Sequence, residues 1–151
     1  MSLENPTKEW VAPDIDQMLD LLAVMEEPGF VPYEWWTQPK DDLPENAISM
    51  SFPNYHPVVQ RMTELLYRTS AYIDPYAPLP EDPTQEGVPF SVMGASFPTE
   101  YFATATLDQV RRYLVLLTRG ERFCDGHIAG EFDGGRVVAA LRRVRELRAG
   151  M

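Results

Sequence analysis

The sequence predicts a mainly α fold, a compact bundle of four to five helices joined by Pro-rich loops, with room for one short β-hairpin. Three observations carry this reading. Apolar residues recur at helical spacing in several separate stretches, alternation at a period of two is confined to AISMSF, and all 14 prolines lie at or before Pro98. A chain of 151 residues can bury about two-thirds of the surface its unfolded form exposes. One domain over 1–151 is therefore expected, with an acidic, Pro-rich portion 1–100 and a proline-free helical portion 101–151 sharing a core.

The elements follow in chain order. In APDIDQMLDLLAVMEEPGF, residues Ile15, Met18, Leu19, Leu22 and Met25 share one helical face, Asp14 with Gln17 reads as a capping box, and Pro28-Gly29 stops the helix. FVPYEWWTQPKDDLPEN is extended, and its Trp35 and Trp36 are expected to lie over the core. Ile48, Met50 and Phe52 alternate in AISMSF as a short strand would. A second helix starts near Pro57, whose ring is preorganised for a first helical turn, and buries Val58, Met62, Leu65 and Leu66. IDPYAPLPEDPTQEGVPF, with five prolines and four acids, reads as a surface loop.

Beyond Pro98 the pattern is cleaner. Thr106 and Gln109 make a capping box for a helix that buries Leu107, Val110, Leu114 and Leu117, widened by Tyr113 and Leu116 and weakened at its end by Gly120. A short helix over Asp125 to Phe132 follows, Gly134-Gly135 breaks it, and a last helix runs from Arg136 to about Arg148. Its Val137, Leu141, Val144 and Leu147 point inward, which leaves Arg142, Arg143, Arg145 and Arg148 largely in water.

Charge limits the function classes. The net charge is −10, made of −13 in residues 1–100 and +3 in 101–151. Such an acidic chain repels phosphates at long range, so generic nucleic-acid binding is not expected. The start MSLENPTKEW lacks the basic-then-apolar pattern of a secretory leader, and no apolar run of about 18 residues occurs. A cytoplasmic protein without membrane contact is the expectation. Cys124 is the sole cysteine, so an intramolecular disulfide and a multi-cysteine zinc site are excluded by counting.

RGERFCDGHIA followed by GGRVVAALRRVREL, together with the upstream SFPNYHPVVQRMTELLY, resembles a family of small bacterial proteins known only as a domain of unknown function. That family's pattern carries a tryptophan-bearing segment after the upstream helix, where this chain has AYIDPYAPLPEDP. The resemblance implies a small intracellular helical domain and brings with it no catalytic residue.

The block Arg119 to Gly135 concentrates the residues able to do chemistry. Cys124 and His127 are three positions apart and would share a helical face, a spacing open to a thiolate nucleophile; a small buried hydrophobe is the plainer reading of the cysteine. Zinc could draw on Cys124, His127, His56 and either Asp125 or Glu131, but the second short spacing of a structural site is missing. His127 more simply caps a helix end or bridges to a carboxylate. Arg119 and Arg122 either form a salt-bridge network with Glu121, Asp125, Glu131 and Arg136 or, with His127, fork onto a small anion at the helix start near Asp125 and Gly126. Gly126, Gly130, Gly134 and Gly135 do not make a phosphate loop, because no lysine accompanies them.

The expected function is a non-catalytic protein-interaction or self-association module. Its partner is another protein or a second copy forming a dimer, met through Trp35, Trp36, Arg142 and Arg145. The alternative is a small-anion or metal-binding enzyme or sensor around Arg119, Arg122, Cys124, Asp125 and His127. No catalytic residue, metal site or cofactor is assigned.

Overall fold

The computed structural model describes residues 10–70 and 99–150, so the Pro-rich loop 73–90 lies outside the described residues. Five α-helices and one β-hairpin follow in order: α1 (Ala12–Met25), β1 (Tyr33–Thr37), β2 (Ser51–Tyr55), α2 (Pro57–Ser70), α3 (Leu107–Phe123), α4 (His127–Asp133) and α5 (Arg136–Ala149). Short 3-10 turns occupy Lys40–Asp42 and Thr99–Ala103. The mainly α class with a single hairpin is as the sequence predicts.

Helix ends follow local chemistry. α1 starts earlier than the Asp14-Gln17 box implies: Pro13 sits in the first turn, where a missing N–H costs nothing, and the Asp14 carboxylate accepts the Val11 N–H at 3.4 Å. Gly29, at φ +80°, turns the chain after α1. His56 caps α2, its Nδ1 accepting the Val58 N–H at 3.0 Å, and Pro57 is the first helical residue. The capping box of α3 is present as read: Thr106 Oγ1 accepts the Gln109 N–H at 3.2 Å and Gln109 Oε1 accepts the Thr106 N–H at 2.9 Å.

One core draws on both sides of Pro98. Met18 and Leu22 of α1, Met62 and Leu66 of α2, Tyr113, Leu114 and Leu117 of α3, Ile128 of α4, and Val137 and Leu141 of α5 are each at most 2% exposed. α1 packs on α2 and α5, α2 on α3, and α3 on α4 and α5. Most expected inward residues are buried, but Leu19, Val58, Leu107 and Leu147 are only half-buried, Val59 rather than Val58 is buried in α2, and α3 is buried all round from Val110 to Thr118.

Two arginines that the periodicity does not flag are inside: Arg111 and Arg112 are 3% and 5% exposed. Arg111 closes the end of α2, with Nη2 donating to Thr69 O at 2.8 Å and Nε to Ser70 Oγ at 3.1 Å. A cation suits the negative end of a helix. Trp10 lies over that guanidinium, 5.7 Å from ring centre, and donates to both Thr69 Oγ1 and Ser70 Oγ at 3.2 Å.

The hairpin corrects two expectations. β2 covers Ser51–Tyr55 rather than 47–52, and Ile48 and Met50 are 88% and 63% exposed. Register decides this, because β1 pairs antiparallel with Tyr33 opposite Tyr55 and Trp36 opposite Phe52. The bonds from His56 N–H to Pro32 O and from Gln38 N–H to Met50 O set the ladder's alternation. Trp35 and Pro53 then form a pair without mutual hydrogen bonds, where proline removes no ladder donor and instead blanks the outer edge of β2. Trp35 and Trp36 do not cover the core. The two rings lie at the surface, 56% and 43% exposed.

Arg142 and Arg145 of α5 are exposed, as expected, and Arg143 and Arg148 half-buried, yet all four are also tied to the protein. Packing of α5 on α1 carries Arg142 and Arg145 to Glu26, with Arg142 Nε 2.9 Å from Oε2 and Arg145 Nη1 on Oε1, and brings Arg148 Nε to Asp16 at 3.0 Å. Arg143 Nε donates to Ala105 O at 2.9 Å. Hydrogen bonds from Arg145 first, then Arg142, hold the Glu26 carboxyl below its usual range. A lowered carboxyl contributes stability above the unfolded-state value of 4.5 and loses it as pH falls through the folded value. Glu26→Gln is expected to cost about 1 kcal/mol or less at neutral pH, given the solvent access of the pairs. In urea titrations at a series of pH values, the gap between wild type and variant should narrow as pH falls below 4.5.

Candidate functional site

The block RGERFCDGHIA forms the corner between α3 and α4. α3 runs through Gly120 to Phe123, and Cys124 ends it with an extended backbone, φ −146° and ψ 102°. Gly126 then takes φ +93°, a left-handed turn that favours glycine, and His127 opens α4. Cys124 and His127 therefore sit on either side of a helix break, not on one helical face. The thiol is exposed, 4.0 Å from Asp125 O. The His127 ring instead lies on the backbone of Gly120, and its Nε2 is 4.0 Å from Glu131 Oε1.

That contact explains why Gly120 stands inside a helix rather than ending it. A β-carbon there would lie 2.4 Å from His127 Cδ2 and 2.9 Å from Cγ. The close approach needs the hydrogen.

Glu121 organises the corner. Its Oε1 accepts the Tyr55 hydroxyl at 2.6 Å and the Gly126 N–H at 3.1 Å, while Oε2 accepts the Ile128 N–H at 2.8 Å. The Tyr55 oxygen in turn accepts the Ala129 N–H at 3.1 Å. Burial, reinforced by the Glu121 carboxylate, pushes the Tyr55 phenol well above its ordinary range. The chain thus supplies its own anion to the first turn of α4, and the amide donors expected there for a ligand are engaged by Glu121.

The remaining candidates diverge. Arg122 turns to α2, donating from Nε to Tyr67 Oη at 2.8 Å with its guanidinium 4.7 Å over the Tyr67 ring. Arg119 is half-buried on α3, and Asp125 is exposed. Arg136 pairs with the buried Glu131, as one branch of the expected salt-bridge network. Burial, reinforced by the Glu131 charge, raises the neighbouring Tyr113 phenol. Among the described residues no three of His, Cys, Asp and Glu gather as a metal site would require, and His56 is occupied at the start of α2.

The hairpin joins this corner. Tyr33 Oη donates to Asp133 at 2.8 Å, and the Trp35 ring lies 3.1 Å from where a Gly126 β-carbon would be. Tyr33, Trp35 and Tyr55 thus share the face of the ribbon that meets α3 and α4, while Trp36 and Phe52 share the other. Sequence reasoning missed Tyr55, and it gave Glu121 to the arginine network, whereas its carboxylate takes Tyr55 and the amides of Gly126 and Ile128. The two are 66 positions apart, so no local pattern joins them.

Residues 10–150 match the model of a family of unknown function, DUF6508, and the chain belongs to that family. No curated protein matches it, and no solved structure does. No helix among the described residues is long and apolar enough to cross a membrane.

Gly120→Ala is expected to destabilise the fold by about 1–3 kcal/mol through overpacking, against the gain of about 1 kcal/mol that alanine brings to an exposed helix interior. Adding His127→Ala should recover part of the loss. A double-mutant cycle by denaturant titration measures that coupling, and strict additivity would show that the ring does not set the glycine.

Proposed function

We propose that the chain is a non-catalytic self-association module, with the outer face and free edge of the β1–β2 ribbon as its contact surface. The observation that carries the reading is the pair Trp36 and Phe52, whose rings meet at a tilt with centres 4.8 Å apart on the side of the ribbon away from the helices, 43% and 42% exposed. Large aromatic rings are the residue type that most often anchors protein interfaces. Met50 and Ile48, 63% and 88% exposed, add apolar surface in the segment that leads into β2.

The edge supports a second copy as the occupant. Pro53 blanks the outer side of β2, whereas among the described residues no strand pairs with the outer edge of β1, and an unpaired edge is a template for another strand. Two β1 strands meeting antiparallel make a self-complementary contact, as a two-fold dimer requires. Charge plays a smaller part than the uneven halves of the sequence suggest, because Arg142, Arg145 and Arg148 of the basic portion already serve Glu26 and Asp16 of the acidic one. An exposed single thiol at Cys124 fits the reducing cytoplasm as the place of work.

Light scattering behind size exclusion, run across protein concentration and salt, tests the reading. A dimer that persists in high salt and is lost in both Trp36→Ala/Phe52→Ala and Thr37→Pro is the expected result. A monomer at every concentration, or a dimer indifferent to these changes, would defeat it.

A further inference from the structure

The hydrogen-bond alternation of the ribbon decides which groups of β1 face a second copy. His56 N–H bonds to Pro32 O and Gln38 N–H to Met50 O, so the even-numbered residues of β1 turn their backbone groups toward β2. The N–H and C=O groups of Tyr33, Trp35 and Thr37 therefore point to the other edge, with which no strand pairs among the described residues. Side chains alternate in step. Glu34, Trp36 and, one position past the strand, Gln38 fall on the outer face with Phe52.

A two-fold pairing of β1 with β1 is centred on one residue, and local chemistry separates the choices. Centred on Tyr33, the α3–α4 corners that Tyr33 reaches through Asp133 would meet at the axis. Centred on Glu34, two carboxylates lie directly opposite, which weakens a sheet. Centred on Trp35, each Glu34 carboxylate lies against the partner's Trp36, and the two Trp36–Phe52 pairs fall in different rows. Centred on Thr37, Trp35 would face the partner's Pro39, which has no N–H to give.

Centred on Trp36, these conflicts are absent. Trp35 and the partner's Thr37 exchange both backbone hydrogen bonds, as do Thr37 and the partner's Trp35. Glu34 lies opposite the amide of the partner's Gln38. Trp36 and the partner's Trp36 become a pair without mutual hydrogen bonds, the kind in which facing side chains come closest. Because Phe52 is the β2 neighbour of Trp36, with ring centres 4.8 Å apart, the rings of both copies line up in one row. The Tyr33 residues of the two copies then stand about 20 Å apart along the strands, which keeps the helical corners separate.

We propose that two copies join β1 to β1 with the two-fold axis at Trp36, giving one antiparallel sheet in the order β2, β1, β1, β2 with a row of aromatic rings across its outer face. This rests on the self-association reading and adds the register to it.

Cysteine cross-linking in a Cys124→Ser background tests the register while leaving Trp36 and Phe52 in place. Facing residues in a pair without mutual hydrogen bonds have Cα atoms about 4.5 Å apart, within disulfide reach. Residues four positions out of register are about 13 Å apart along the strand. Glu34→Cys/Gln38→Cys is therefore expected to give a disulfide-linked dimer on mild oxidation, while Glu34→Cys alone and Gln38→Cys alone stay unlinked. Light scattering of the wild type separates the two levels of the claim. A monomer at every concentration defeats the self-association reading and the register with it. A wild-type dimer whose double variant does not link, or in which either single variant does, overturns the register alone.

Discussion

The carboxylate of Glu121 is the constraint on which the rest of this corner depends. It collects three donors, from Tyr55, Gly126 and Ile128, that belong to β2, to the turn and to α4. A helix as short as α4 cannot stand on its own propensity. Satisfying its first-turn amides from α3, and burying Ile128 beneath, is what makes it persist. The same contact anchors the ribbon, because Tyr55 is the residue through which β2 reaches the helices.

Glycine sets how close these parts come. Gly126 supplies the left-handed turn with Trp35 over it, and Gly120 lets the His127 ring lie on α3. A block that looks like a reactive cysteine and histidine is therefore the joint of two helices. Its Cys124 faces solvent while His127 is engaged with Gly120 and Glu131. The side chains of Glu121, His127 and Arg122 go into holding the corner together.

Much of the fold was legible in the chain. The stripe of Val110, Leu114 and Leu117, the Thr106-Gln109 box, the Pro57 start and the Gly134-Gly135 break all depend on residues within one or two turns of each other, where spacing and backbone preference speak directly. The hairpin was legible as a possibility but not in position. Ile48, Met50 and Phe52 alternate as a strand would, yet the pairing starts at Ser51 because β1, not the alternation, sets the register.

The candidate site was the least legible part, and the reason is range. Arg145 meets Glu26 across 119 positions, and Tyr55 meets Glu121 across 66. Sequence alone determined the helices, most of the residues of their apolar stripes and the uneven division of charge, since each follows from neighbours along the chain. Only the tertiary structure decided that the opposite charges of α1 and α5 neutralise each other, that Trp35 and Trp36 stand outside the core, and that Glu121 takes the donors at the start of α4. Those outcomes depend on which helices pack together, and packing is chosen by the burial of the whole apolar surface rather than by any one segment.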